Sequence, residues 1–170
     1  HEGQRAAGTS VHQTTLGGVP VEIATPPRYA GAASIVYLHG GAYVALAPRG
    51  YRRLVTRLAL ATGCRVVAVD YRLAPEHPYP AASDDCLAAY RWLLNNGVPA
   101  HNIVICGDSA GGNLSLVTLM RAREEGLPLP AAAIVLSPAT DFSLSGRSST
   151  VNEESDQIGR ASCRERVSSP

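Results

Sequence analysis

Gly107-Asp108-Ser109-Ala110-Gly111-Gly112 sets a serine in a G-x-S-x-G frame. A five-residue apolar run, 102–106 (NIVIC), precedes it and a helical pattern follows. A strand-to-helix corner of this kind is so sharp that the serine is held in strained backbone, its hydroxyl turned outward for attack on a carbonyl carbon. Small residues two before and two after the serine let the neighbouring chain pass, and Gly107 and Gly111 fill those places. The helix N-terminus beneath favours negative charge. Gly and Ser are common, so the frame alone says little; its place between strand and helix gives it force. The competing readings are an ordinary Gly-rich turn and a phosphate-binding loop. Neither G-x-G-x-x-G nor G-x-x-x-x-G-K-[ST] occurs in the chain, which argues against the second.

A second group, His39-Gly40-Gly41-Ala42, follows the apolar run 34–38 (SIVYL). A serine that attacks esters needs backbone N–H donors aimed at the developing oxyanion, and a glycine pair lets the backbone approach a substrate closely. Alone, the group would read equally well as a tight turn with a surface histidine.

The elements that must position these groups are legible as patterns. Residues 19–24 alternate apolar and polar, as a half-buried strand does, while 34–38, 65–69, 102–106 and 132–136 are continuous apolar runs. Between them lie helical patterns. Tyr51, Leu54, Val55, Leu58 and Ala59 make one stripe over 51–62, with Gly63 placed to end it. A second helix follows Ser83 as N-cap and runs to about Asn95, and a third over 110–124 is apolar on all sides. The stretch 71–80 holds three prolines and must be a loop. Short apolar strands alternating with helices predict an α/β fold: a mostly parallel sheet covered on both faces, with ligand-binding loops at the strands' C-terminal ends.

Together, the HGGA and GDSAGG segments resemble the hormone-sensitive-lipase-like bacterial esterases of the α/β-hydrolase fold. Asp70-Tyr71-Arg72-Leu73-Ala74-Pro75-Glu76 and the following Pro78-Tyr79-Pro80-Ala81-Ala82 are similar to that family's DYRLAPE-PxPAA stretch, and Ser137-Pro138-Ala139-Thr140-Asp141 to its SPxxD stretch. The resemblance spans roughly residues 19–156. It implies Ser109 as nucleophile and the N–H groups of Gly40, Gly41 and Ala110 as the oxyanion hole. His39, Ala42, Gly107, Asp108 and Gly111 would be motif support, Ala42 standing where a third glycine is commoner. Asp70, Arg72, Glu76 and Asp108 would be structural, tying the Pro-rich loop to the serine corner. The implied activity is hydrolysis of short-chain esters or lactones through an acyl-enzyme. Two alternatives on the same fold are a non-catalytic small-molecule binder and an amidase or peptidase.

The order along the chain in this fold is serine, acid, histidine. The five histidines, His1, His12, His39, His77 and His101, all precede Ser109. Asp141 fits the structural SPxxD position. The triad acid and histidine are therefore expected to be absent from these residues, leaving the 170-residue chain inactive. Two further strands and most of an N-terminal cap are expected to be missing as well, which would leave 132–136 as an apolar, association-prone edge.

The organisation expected is a poorly defined cap remnant over 1–18, the hydrolase portion over 19–157, and a tail over 158–170. That tail resembles an in-frame translation of a sequencing-adapter read. With 45 % hydrophobic and 17 % charged residues, the chain can build a core and is not disordered by composition. Fifteen basic against fourteen acidic groups give no footprint for nucleic acid. No apolar run is long enough to span a membrane. The four cysteines show no CxxC spacing or disulfide pattern, and no His/Cys/carboxylate group has metal-ligand spacing. A cytoplasmic enzyme with no metal or organic cofactor and a small-molecule ester substrate is the resulting expectation, with the oligomeric state open.

Overall fold

In the computed structural model, residues 5–31, 33–141, 143 and 145 are described. Six strands, β1 (Ser10–Leu16), β2 (Val19–Thr25), β3 (Ser34–Leu38), β4 (Arg65–Val69), β5 (Ile103–Asp108) and β6 (Ala132–Leu136), form one sheet in the order β1-β2-β4-β3-β5-β6. The pairs β4–β3, β3–β5 and β5–β6 are parallel, and the pairs β1–β2 and β2–β4 antiparallel. Helices α1 (Pro48–Thr62), α2 (Ala81–Asn95) and α3 (Ala110–Glu124) connect the parallel strands. The expected α/β-hydrolase sheet, mostly parallel and helix-covered on both faces, is thus the observed one.

The continuous apolar runs arise because the central strands feed two cores at once. Ile35 and Tyr37 of β3, with Val66 and Ala68 of β4, pack toward Val55 and Ala59 of α1. Val36, Leu38, Val67 and Val69 point the other way, into a larger core with Tyr90 and Leu93 of α2 and Leu114 of α3. Every residue of β3 is buried. Helix α1 begins on Pro48, where a missing N–H costs nothing, and ends on Gly63 at φ 69°, whose N–H returns to the Ala59 carbonyl.

Several boundaries differ from the sequence reading. Residues 10–16 were expected within a poorly defined cap remnant; instead they form β1 of a hairpin with β2. Leu16 pairs directly with Val19, and the two-residue loop Gly17-Gly18 has φ of 60° and 85°, the positive values a tight hairpin turn needs. Helix α2 starts at Ala81, not after Ser83, and the Ser83 hydroxyl donates back to the Pro80 carbonyl from inside the first turn. Leu54, expected in the stripe over 51–62, and Met120, in the helix read as apolar on all sides, are exposed.

Among the described residues β6 is one of the sheet's two edges, the other being β1, and its Ile134 and Leu136 are about half exposed. Residues to Pro138 make one compact unit, and a second begins at Ala139, short of the expected boundary at 157. The segment 158–170 lies outside the described residues. Among the described residues no helix is long and apolar enough to cross a membrane.

Candidate active site

β5 delivers Ser109 to the start of α3 with φ 53° and ψ −117°, a backbone region that a residue with a side chain rarely occupies. The serine is exposed, while Ala110 behind it is buried. The corner is held open from two sides. The Ser109 N–H donates to the Leu136 carbonyl at 2.9 Å, and its own carbonyl accepts from Asn113 N–H at 3.1 Å. As first residue of α3, Ala110 has an N–H with no acceptor inside the helix, and no acidic side chain occupies that first turn.

Gly107 and Gly111 are required by close approach. A Cβ on Gly111 would sit 1.9 Å from the Leu38 carbonyl oxygen and 2.5 Å from that of His39; one on Gly107 would meet the Gly111 oxygen at 2.3 Å. The serine corner and the 38–40 backbone are therefore in direct contact.

His39 is almost fully buried. Its Nδ1 bonds the Gly40 carbonyl at 2.6 Å, its ring stacks on Tyr71 with centroids 4.3 Å apart, and the Tyr71 hydroxyl donates to the His39 carbonyl at 2.6 Å. Nε2 has no partner among the described residues, and burial lowers the imidazole pKa, so the ring is neutral and structural.

Asp108 gathers three donors. Its Oδ1 accepts from the Tyr37 hydroxyl at 2.7 Å and from the Gly40 N–H at 3.1 Å, and its Oδ2 accepts from the Tyr51 hydroxyl at 3.0 Å. The Gly40 N–H also reaches the Tyr51 oxygen at 3.2 Å. Gly40, expected as an oxyanion donor, directs its N–H to these two groups. Gly41 and Ala42 follow at φ 123° and 54°, and no acceptor is found for either N–H among the described residues. The Gly41 carbonyl accepts from the N–H groups of Val44 and Ala45. Tyr43 and Leu46 are also left-handed, at 65° and 74°. From α3, Asn113 takes the Tyr43 hydroxyl at 2.7 Å, and the Ala74 N–H bonds the Tyr43 carbonyl at 2.8 Å. Burial pushes the Tyr43 hydroxyl up to about 12, and burial with the Asp108 charge does the same to Tyr51, so both remain donors at any working pH.

The expected tie from the Pro-rich loop to the serine corner takes another form. Arg72 grips Asp85 of α2 with its guanidinium, at 2.8 Å from Nη2, and with its backbone N–H at 2.9 Å. Glu76 and Asp70 are exposed, and partial desolvation on one side of the Asp70 carboxyl holds it above its usual value. The contact to the 39–42 segment comes from Tyr71. In the second unit, the Asp141 carboxylate accepts from the backbone N–H groups and hydroxyls of Ser143 and Ser145, which hold its pKa at about 2. It is engaged in a local turn. His12, His77 and His101 are exposed. Sequence reasoning missed Tyr37, Tyr51, Tyr71 and Asn113; the faint signal was a hydroxyl-tipped Tyr inside an apolar run or stripe, since a buried Tyr oxygen must find a partner.

A family profile described as the alpha/beta hydrolase fold matches residues 35–166. An acetyl-hydrolase of Streptomyces hygroscopicus is 42 % identical over 139 residues, which is 82 % of this chain and 46 % of the relative. An ethyl acetate hydrolase of Pseudomonas putida is 39 % identical over 134 residues, covering 74 % and 42 %. The crystal structure of an esterase from the bacterial hormone-sensitive lipase family superposes with a TM-score of 0.87 at 42 % identity, covering 90 % of this chain and 52 % of that one. The chain spans about half the length of the relatives it matches.

Proposed function

Because the chain belongs to the α/β-hydrolase fold family, in its hormone-sensitive-lipase-like branch, we propose that the whole protein is a serine-dependent carboxylic ester hydrolase. Ser109 attacks the acyl carbon, the carbonyl π electrons move onto oxygen, and the tetrahedral adduct expels the alcohol to leave an acyl-enzyme that water hydrolyses. The Ala110 N–H is one oxyanion donor. Gly41 and Ala42 supply the others in place of Gly40: they follow it directly in the loop, and neither N–H has an acceptor among the described residues. Short acyl groups are the substrates best supported, the two relatives above being named for acetyl and ethyl acetate hydrolysis.

The observation that carries this reading is an exposed serine at a strained corner of positive φ, packed against a loop whose Gly41 and Ala42 amides have no acceptor among the described residues. The proton acceptor and its carboxylate partner come from outside these 170 residues: all five histidines precede Ser109, and His39 is locked in the loop's foundation. Labelling the whole protein with an organophosphate and mapping the modified peptide tests the assignment. Ser109 is the expected site; modification elsewhere, or none in an active protein, overturns it. The 170-residue chain itself should turn over p-nitrophenyl acetate no faster than its Ser109→Ala variant.

A further inference from the structure

The loop from His39 to Ala47 carries three left-handed residues with side chains, Ala42, Tyr43 and Leu46. Each such residue costs on the order of 1–3 kcal/mol and persists only where its surroundings over-determine it. The loop would relax unless fastened, and the fastening is visible at both ends. At its start, the Gly40 N–H is shared between Asp108 Oδ1 and the Tyr51 oxygen. At its end, the chain enters α1, whose first turn brings Tyr51 back over the loop to donate to Asp108 Oδ2. The Tyr51 ring is wedged near Tyr37 and His39, with centroids 5.6 and 5.8 Å away. Among the described residues, Tyr51 is thus the one side chain that hydrogen-bonds both the loop backbone and the carboxylate beside the nucleophile.

We propose that Tyr51 and Asp108 are positioning residues that clamp the Gly40 amide, and by occupying it decide that the next two amides are the ones presented to a substrate oxyanion. The clamp rests on the ester-hydrolase reading for its catalytic consequence, but not for its existence. Without it, the Gly40 N–H would turn toward the substrate side and the following peptide units would rotate out of register with Ser109.

Tyr51→Phe tests it in the whole protein, because the phenyl ring keeps the packing and removes only the hydroxyl. The expected result is a fall in kcat of about tenfold, below the 10²–10³ typical of deleting an oxyanion donor outright, with KM within about twofold. Affinity for a trifluoromethyl ketone, whose hemiketal oxygen occupies the same place, should weaken by the same factor as kcat/KM. Tyr37→Phe is the comparison: it removes a donor to Asp108 from the strand side without touching the loop, so kcat should fall by less than threefold. Amide hydrogen exchange gives a readout independent of activity. In the wild type the Gly40 amide should exchange at least ten times more slowly than that of Gly41, and Tyr51→Phe should abolish the difference. Equal exchange of the two amides in the wild type overturns the clamp, as does a Tyr51→Phe protein whose Gly40 exchange and kcat are both unchanged. A wild-type protein that hydrolyses no ester and takes no label at Ser109 would instead sink the hydrolase reading, and leave the exchange result to judge the clamp.

Discussion

Adding one methyl group at Gly111 should cost more than any other single-carbon change in the site. The new Cβ would lie 1.9 Å from the Leu38 carbonyl oxygen and 2.5 Å from both the Leu38 carbonyl carbon and the His39 oxygen, whereas ordinary contact begins near 3.4 Å. All three atoms are backbone, so no side chain can swing aside. The end of β3 and the first turn of α3 must separate by about 1.5 Å for Gly111→Ala to be accommodated. Overpacking of this kind costs about 3 kcal/mol, the upper part of the usual range. In a chain of this size that lowers Tm by roughly 6–12 °C. The separation also carries the 39–42 segment away from Ser109, and a misplacement of about 1 Å costs on the order of a hundredfold in rate. Gly112→Ala is the internal control: its Cβ meets Pro138 at 3.1 Å, a contact relieved by a few tenths of an ångström. Differential scanning calorimetry and ester hydrolysis by the whole protein would be compared for the two variants. Equal melting temperatures and equal kcat would refute the close-approach argument.

Three further outcomes follow from individual contacts. Ser109→Gly should raise stability by about 1 kcal/mol in urea titration, because φ 53° with ψ −117° suits glycine and strains serine; a loss would show that the corner is unstrained. Glu22 is almost fully buried and gripped by Arg52 at 2.7 and 2.8 Å, so Arg52→Met should cost about 3–5 kcal/mol and the double variant Glu22→Gln/Arg52→Met should recover much of it. The third concerns pH. Burial lowers the His39 pKa below its unfolded value of about 6.5. Below that pH the unfolded chain binds a proton that the folded one refuses. Stability from this residue is therefore whole above about pH 7 and lost as acid is added. Asp70, its carboxyl raised, contributes in the opposite sense at lower pH. Urea midpoints between pH 7 and pH 5 should fall less steeply in His39→Asn than in the wild type; parallel slopes would contradict the assignment.

The parallel core was legible because β3, β4 and β5 bury both faces, so that every residue of 34–38 had to be apolar and no other element explains such runs. The serine corner was legible for a local reason: its glycines, strand and helix are contiguous. β1 escaped because it earns its place by backbone pairing, not burial. Only Leu16 of its seven residues is buried, so SVHQTTL shows no apolar period. The Gly17-Gly18 pair was the available clue, a two-residue turn between strand-like segments. The choice among loop amides was beyond sequence reach for another reason. Which N–H stays free depends on Asp108 and Tyr51, which lie 68 and 11 positions from Gly40, and only the folded sheet brings them there. Arg72 shows the same thing: its type in the Pro-rich loop was readable, its carboxylate partner on α2 was not.

The Ser109 amide hangs on the last carbonyl of β6, and among the described residues β6 is paired on one side alone. The seat of the reactive oxygen is thus only as firm as the sheet's outermost strand. Warming that frays β6 in the 170-residue chain would release the Ser109 amide while Val36, Val67 and Ile105 are still packed, so that amide should exchange its hydrogen faster than those of the central strands well below the melting temperature.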